Sequence, residues 1–175
     1  MIGLIASVII WSVSAGSFAA AAEAQSEEQA FLQRAAEAQQ LEIALAQLAL
    51  KKAGNERVKE LGARIIQDEQ KASQEIRALA VKEGIKLRGE LGEKTREKQK
   101  KFSHYAGMQF DYAYVAYLLQ DQSMEVGALE QHAEMLKDPD VKKWATTTLP
   151  ILKAHLDKAH AVASLIGLTQ QGGEH

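Results

Sequence analysis

Four residues far apart in the chain, Glu42, Glu69, Glu125 and His155, are of types that ligate divalent metal ions. Each lies on or beside the apolar stripe of a stretch with helical periodicity. Carboxylate oxygens and imidazole nitrogen suit iron and manganese, with copper a third candidate. Inward-facing Glu and His from four helices build two-metal carboxylate centres, but these need two Glu-x-x-His pairs and two further glutamates. No Glu-x-x-His occurs here, and the nearest match, Asp157-x-x-His160, is single and off its stripe. A complete two-iron oxidase centre is therefore not expected, whereas a single-ion or degenerate centre on the four residues is a real alternative.

The favoured expectation for these residues is structural. Buried polar groups need partners, and Glu42, Glu69, Glu125 and His155 could form one hydrogen-bonded network with Asp68, Asp121 and Gln122. In it Glu69 pairs with His155 as carboxylate and imidazolium, fixing helix register. No resident cofactor is expected on this reading. His104 and His132 are assigned to outer or crossover surfaces. Met108, Met124 and Met135 are too scattered for a copper site and read as core fillers. No Gly-rich phosphate loop, GxSxG or HExxH is present, so a non-enzymatic role is favoured over catalysis.

The elements that must position these groups are helical. The central stretch 110–136 carries Val115, Leu118, Val126, Leu129, Ala133 and Leu136 on one seam, interrupted by Gln122. A first helix is predicted over 26–52, capped by Ser26, with Leu41, Leu45 and Leu48 as its stripe. A second is predicted over 56–82, with Val58, Gly62, Ile65, Glu69, Ala72, Ile76 and Leu79 inward and Gly84 as its stop. Residues 84–101 are glycine-broken, then charged, and predict a solvated crossover helix reaching about Tyr105. Phe102, Tyr105, Phe110, Tyr112, Tyr114 and Tyr117 predict a packing corner beside it. The last helix starts at Asp138-Pro139. Its seam is Val141, Ala145, Thr148, Leu152, His155, Ala159, Val162 and Ile166. Pro150 is expected to kink the helix near Thr146–Thr147, with the hydroxyls there bonding the carbonyls it frees.

Composition limits the class. The 175 residues fit one domain, and 46% hydrophobic content supplies a core. There is no cysteine, so disulfides and thiolate ligands are excluded. A net charge of -2 with interspersed signs gives no concentrated basic face, so no nucleic-acid partner is expected. Residues 2–22 form an apolar run grading into small residues, which reads as a signal peptide cleaved after Ala22 or Ala24. The alternative is an uncleaved anchor, since the run approaches a spanning length. The expected organisation is a signal peptide at 1–24, a helical domain at 25–168 and a disordered tail at 169–175, with the domain in the periplasm or secreted.

A weak repeat places 41–61 over 124–144. Glu42 then falls on Glu125, Val58 on Val141, Lys59 on Lys142 and Asn55 on Asp138. Two helical hairpins joined by a crossover are implied. The fold expected is all-α, a ferritin-like antiparallel four-helix bundle with a short extra helix between helices two and three.

Three segments carry a family resemblance: FLQRAAEAQQLEIALAQLALKKAGNERVKELGARIIQDEQKA (31–72), FDYAYVAYLLQDQ (110–122) and DPDVKKWATTTLPILKAHLDKA (138–159). Through them the chain resembles the secreted bacterial ferritin-like family catalogued as domain of unknown function 4142. The resemblance implies a helical bundle, export and no established activity. It also implies Asp-His pairs on the second and central helices, where this chain has Asp68-Glu69 and Asp121-Gln122. The histidine of the final LPxLxxHL pattern is retained as His155. The leading functional expectation is an exported, non-enzymatic envelope protein acting by binding a partner, by self-association or in stress tolerance. A metal-binding protein or oxidase and a membrane-anchored scaffold are the alternatives.

Overall fold

Heptad-like runs with few prolines fold as long helices, and the computed structural model describes them over residues 15–88 and 92–168. The chain is all-α. Its helices are α1 (Ala15–Lys52), α2 (Glu56–Lys82), α3 (Glu93–Ser103), α4 (Gly107–Met135) and α5 (Pro139–Leu165). No strand occurs among the described residues, although an isolated parallel bridge joins Ala53 to Gly107. Helix α1 packs along α2, and α4 along α5, each pair closed by a short turn. These hairpins meet through α2 on α5 and α1 on α4, while α3 rests on α1 and α4.

The α2 seam is buried at every predicted position. Gly62 is needed there, because a Cβ would lie 3.0 Å from Ala49 Cβ. Gly84 takes φ 67° beyond the α2 C-cap, and Ile85 N–H and Gly84 N–H return to the carbonyls of Ala80 and Val81. This is a Schellman stop, which glycine adopts without a Cβ penalty. The α5 seam is likewise buried from Val141 to Val162, with Ile166 half-buried just past the helix.

Helix α1 departs from expectation. It is already helical at Ala15, so Ser26 is interior and not a cap. Its buried stripe is Leu32, Ala36, Gln39, Glu42, Ala46 and Ala49 with Leu45, while Leu41 and Leu48 are half-buried. Small and polar residues face inward here because α1 approaches α2 closely enough for Ala49 to meet Gly62.

Met108, Met124 and Met135 are exposed on α4 and are not core fillers, because the inward face of α4 is taken by Phe110, Tyr114, Leu118 and Leu129. Helix α3 ends two residues short of the expected Tyr105. The aromatic corner forms around Phe102, which meets Tyr105, Phe110 and Tyr117 edge-on, while Tyr112 stays outside it. Pro150 lies within α5. The Thr146 and Thr147 hydroxyls bond carbonyls of Lys142, Lys143 and Trp144. None of these is the carbonyl that Pro150 leaves free, four residues back at Thr146.

The repeat extends into the turns. Asp111, on α4, accepts from Gly54 N–H at 3.0 Å and Asn55 N–H at 2.9 Å, tying down the α1–α2 turn. Glu28, on α1, accepts from Lys137 N–H at 2.9 Å and Asp138 N–H at 2.7 Å, tying down the α4–α5 turn. The offset that places Glu42 on Glu125 also places Glu28 on Asp111, Gly54 on Lys137 and Asn55 on Asp138. Each hairpin therefore caps the other's turn from the equivalent position. Asn55 and Asp138 then act as equivalent N-caps for α2 and α5.

Two apolar clusters result. One gathers Leu45, Val58, Ile65, Phe110, Leu118 and Val162; the other gathers Phe31, Ile76, Leu129, Val141, Trp144 and Leu152. On all four long helices, the residues between these clusters in sequence are the polar ones.

Candidate metal centre

That polar layer is where the predicted residues meet. Glu42 from α1, Glu69 from α2 and His155 from α5 are each at least 98% buried, and Gln122 from α4 is fully so. One ligand atom from each of Glu42, Glu69 and His155 lies within 4.8 Å of the other two. A second triad, Glu42, Asp121 and Glu125, meets the same spacing, so Glu42 belongs to both. Gln122 Nε2 donates to the Glu42 carboxylate at 3.4 and 3.5 Å, long for such bonds.

The expected Glu69–His155 pair is present only as a 3.8 Å contact without a hydrogen bond. Instead His155 Nε2 hydrogen-bonds Asp68 Oδ2 at 2.9 Å, and Arg64 Nε donates to the same oxygen at 2.6 Å. Burial holds the imidazole below its ordinary pKa, even though Asp68 pulls the other way. Burial would raise Asp68, but hydrogen bonds from His155 and Arg64 outweigh it and keep the carboxylate below its usual range. The neutral ring thus carries its proton on Nε2, toward Asp68. Nδ1 keeps a bare lone pair. It faces Glu69 Oε1 at 3.8 Å, and neither atom has a hydrogen-bond partner.

The carboxyl groups are crowded. Burial first, and then the charges of Glu125 and Asp68, push Glu69 up to about 8. Burial and then Asp121 push Glu125 up to about 7, against a hydrogen bond shared with Glu42. Glu42 is driven well above the carboxylate range by burial, then by Glu125 and Glu69. No lysine or arginine offsets these three acids among the described residues. Tyr117 donates a short hydrogen bond to Asp121, on the flank of the second triad.

The repeat explains why no Glu-x-x-His is found. Its offset places Glu69 on Leu152 and Ala72 on His155, all four of them buried. One hairpin has the glutamate of that spacing and the other has the histidine. The two are brought together only by the fold.

Of the remaining histidines, His104 is exposed at the end of α3. His132 is half-buried, unlike the expected surface placement, because its ring stacks on Phe31 at 5.8 Å. Gln39, which the offset places on Gln122, is a buried polar member of this layer that sequence reading missed. The repeat itself was the signal for it.

An all-helical chain with a buried carboxylate–imidazole layer is the class these features define. The family described as domain of unknown function (DUF4142) matches residues 13–162, and the chain belongs to that family. No curated protein and no solved structure matches the chain.

Proposed function

We propose that this protein is a ferritin-like four-helix bundle that holds one divalent ion, iron or manganese, in its polar layer. The observation that carries the proposal is the Glu42–Glu69–His155 triad, with Glu69 Oε1 and His155 Nδ1 facing each other unpartnered. Two ligands of one ion stand up to about 4.2 Å apart at common bond lengths, and the 3.8 Å between Glu69 Oε1 and His155 Nδ1 falls within that span. Asp68 supports the reading: a carboxylate on the far nitrogen fixes the tautomer and orients a ligating histidine.

A purely structural network accounts for less. Such a network is worth its burial only when its members are paired. Here three acids crowd together with no cation, and two facing atoms lack partners. A bound divalent cation would relieve both. Glu42 supplies an oxygen donor to both triads and Glu125 one to the second, and the donor set of oxygens with one nitrogen suits iron or manganese over copper. One ion is proposed, because among the described residues the buried layer holds a single histidine and no Glu-x-x-His pair, short of what a two-metal centre needs.

We also take the protein to be exported, on the strength of the apolar run at 2–22 followed by small residues. No described helix is long and apolar enough to cross a membrane. Residues 1–14, which hold most of the proposed signal or anchor, and the tail 169–175 lie outside the described residues.

The proposal is tested by calorimetric titration of chelator-stripped protein with Mn2+. One saturable site should appear, and it should disappear in Glu69→Ala and His155→Ala but persist in Glu130→Ala, a surface control. Equal binding by all four proteins would remove the centre from this layer.

A further inference from the structure

A cavity of about 200 Å³ lies against the centre and is lined by both Glu69 and Glu125. Its wall is mostly apolar. Phe31 and Trp144 meet edge-on at 6.0 Å, and Leu129 and Leu152 close around them. The room is left by three small residues, Ala35, Ala38 and Ala128, where larger side chains would fill it. Arg34 and Ala128, both exposed, bring the opening to the surface.

Three of the lining side chains are more than 90% buried and carry polar atoms with no partner. They are Gln39 Oε1, Glu69 Oε1 and Trp144 Nε1. Buried polar atoms are almost always paired, so three around one cavity indicate a group that completes them. Gln39 Oε1 is an acceptor, the Glu69 carboxyl accepts or donates according to its protonation, and the indole N–H is a donor. A hydroxyl supplies both roles at once. The acids lining the inner wall disfavour an anion. An apolar cavity of about 150 Å³ holds benzene, so this one has room for one ring with small substituents.

We infer that this cavity binds a small uncharged aromatic alcohol, ring against the Phe31 and Trp144 wall and hydroxyl beside Glu69. Binding itself needs no metal. That the alcohol is the organic partner of the metal centre rests on the proposed function, because Glu69 serves both.

The probe is 4-methylphenol, titrated by calorimetry into chelator-stripped and Mn2+-loaded full-length protein, with benzoate and toluene as comparators. One saturable site is expected in the stripped protein, with the Trp144 indole N–H resonance shifting on binding. Benzoate should not compete. Ala128→Phe should weaken the phenol roughly tenfold or more by filling the space. Trp144→Phe, which keeps a ring but loses the N–H, should weaken the phenol and leave toluene unchanged. It stands as the second variant if Ala128→Phe does not fold. Absence of saturable binding, a preference for benzoate, or undiminished binding in the variants would overturn the inference. Metal content is read separately on the same samples. Phenol binding without metal uptake keeps the cavity and removes the metal centre, and metal uptake without phenol binding does the reverse.

Discussion

His155 donates its Nε2–H to Asp68 at 2.9 Å, and its other nitrogen faces Glu69 with an open lone pair at 3.8 Å. Two adjacent residues of α2 thus take opposite roles. Asp68, partly buried and bound to Arg64, orients the ring; Glu69, one residue inward, shares with His155 the space where an ion would sit.

This division of labour makes Asp68 a positioning residue with a measurable effect. Asp68→Ala should retain the Mn2+ site but weaken it by about 10–100-fold, the usual cost of losing a carboxylate behind a ligating histidine. Calorimetric titration checks it, and Asp68→Asn, whose amide oxygen can still accept from Nε2–H, should recover part of the loss. Unchanged affinity in Asp68→Ala would mean that the ring does not ligate.

The metal-free protein should lose stability as pH rises from about 5 to 8. Glu69 and Glu125 have folded values of about 8 and 7, above the ordinary carboxyl value of 4.5. In that window the folded state holds more protons than the unfolded state, so stability present at low pH is lost as each group is forced to ionise. His155 works the other way, since its depressed value makes the folded state resist protonation as pH falls below about 6.5. Urea midpoints should therefore be lower at pH 8 than at pH 5.5 without metal. Saturating Mn2+ should remove or reverse the difference, because an ion favours the ionised carboxylates.

The reciprocal caps should contribute unequally. Asp111 is buried, and Asp111→Ala strands the Gly54 and Asn55 N–H groups, a loss of about 1–3 kcal/mol. Glu28 is only half-buried, so Glu28→Ala should cost less, about 1 kcal/mol. Urea denaturation gives both values. Gly54 has its own constraint, because a Cβ there would meet Gly107 Cα at 3.0 Å.

Much of this fold is readable from pattern. The seams of α2 and α5 repeat at near-heptad spacing, and Asp138-Pro139 and Asn55 mark helix starts by local chemistry. Helix α1 was harder, because Leu41, Leu45 and Leu48 offered a more apolar face than the Ala- and Gln-bearing one that packs. The exposed methionines mislead for a similar reason: residue type says nothing of which face a neighbouring helix covers. The inward placement of Glu42, Glu69, Gln122 and His155 followed from their stripes. Which carboxylate His155 would choose did not, because Asp68 and Glu69 are adjacent and only the position of α5 against α2 decides between them. The cavity was illegible too, since it arises from alanines on two different helices.

Export predicts a processed chain. Amino-terminal sequencing of protein recovered from a bacterial host should find the start at Glu23 or Gln25, in the periplasmic fraction. An intact Met1 in the membrane fraction would instead support the anchored scaffold.

The most direct test of the metal centre is elemental mass spectrometry of tag-free protein, purified without chelators from cells supplied with iron and manganese. About one tightly held iron or manganese ion per chain is expected, falling to background in His155→Ala. A native protein that folds, emerges free of both metals and takes up neither on incubation would contradict the account, leaving Glu42, Glu69 and His155 as a structural layer.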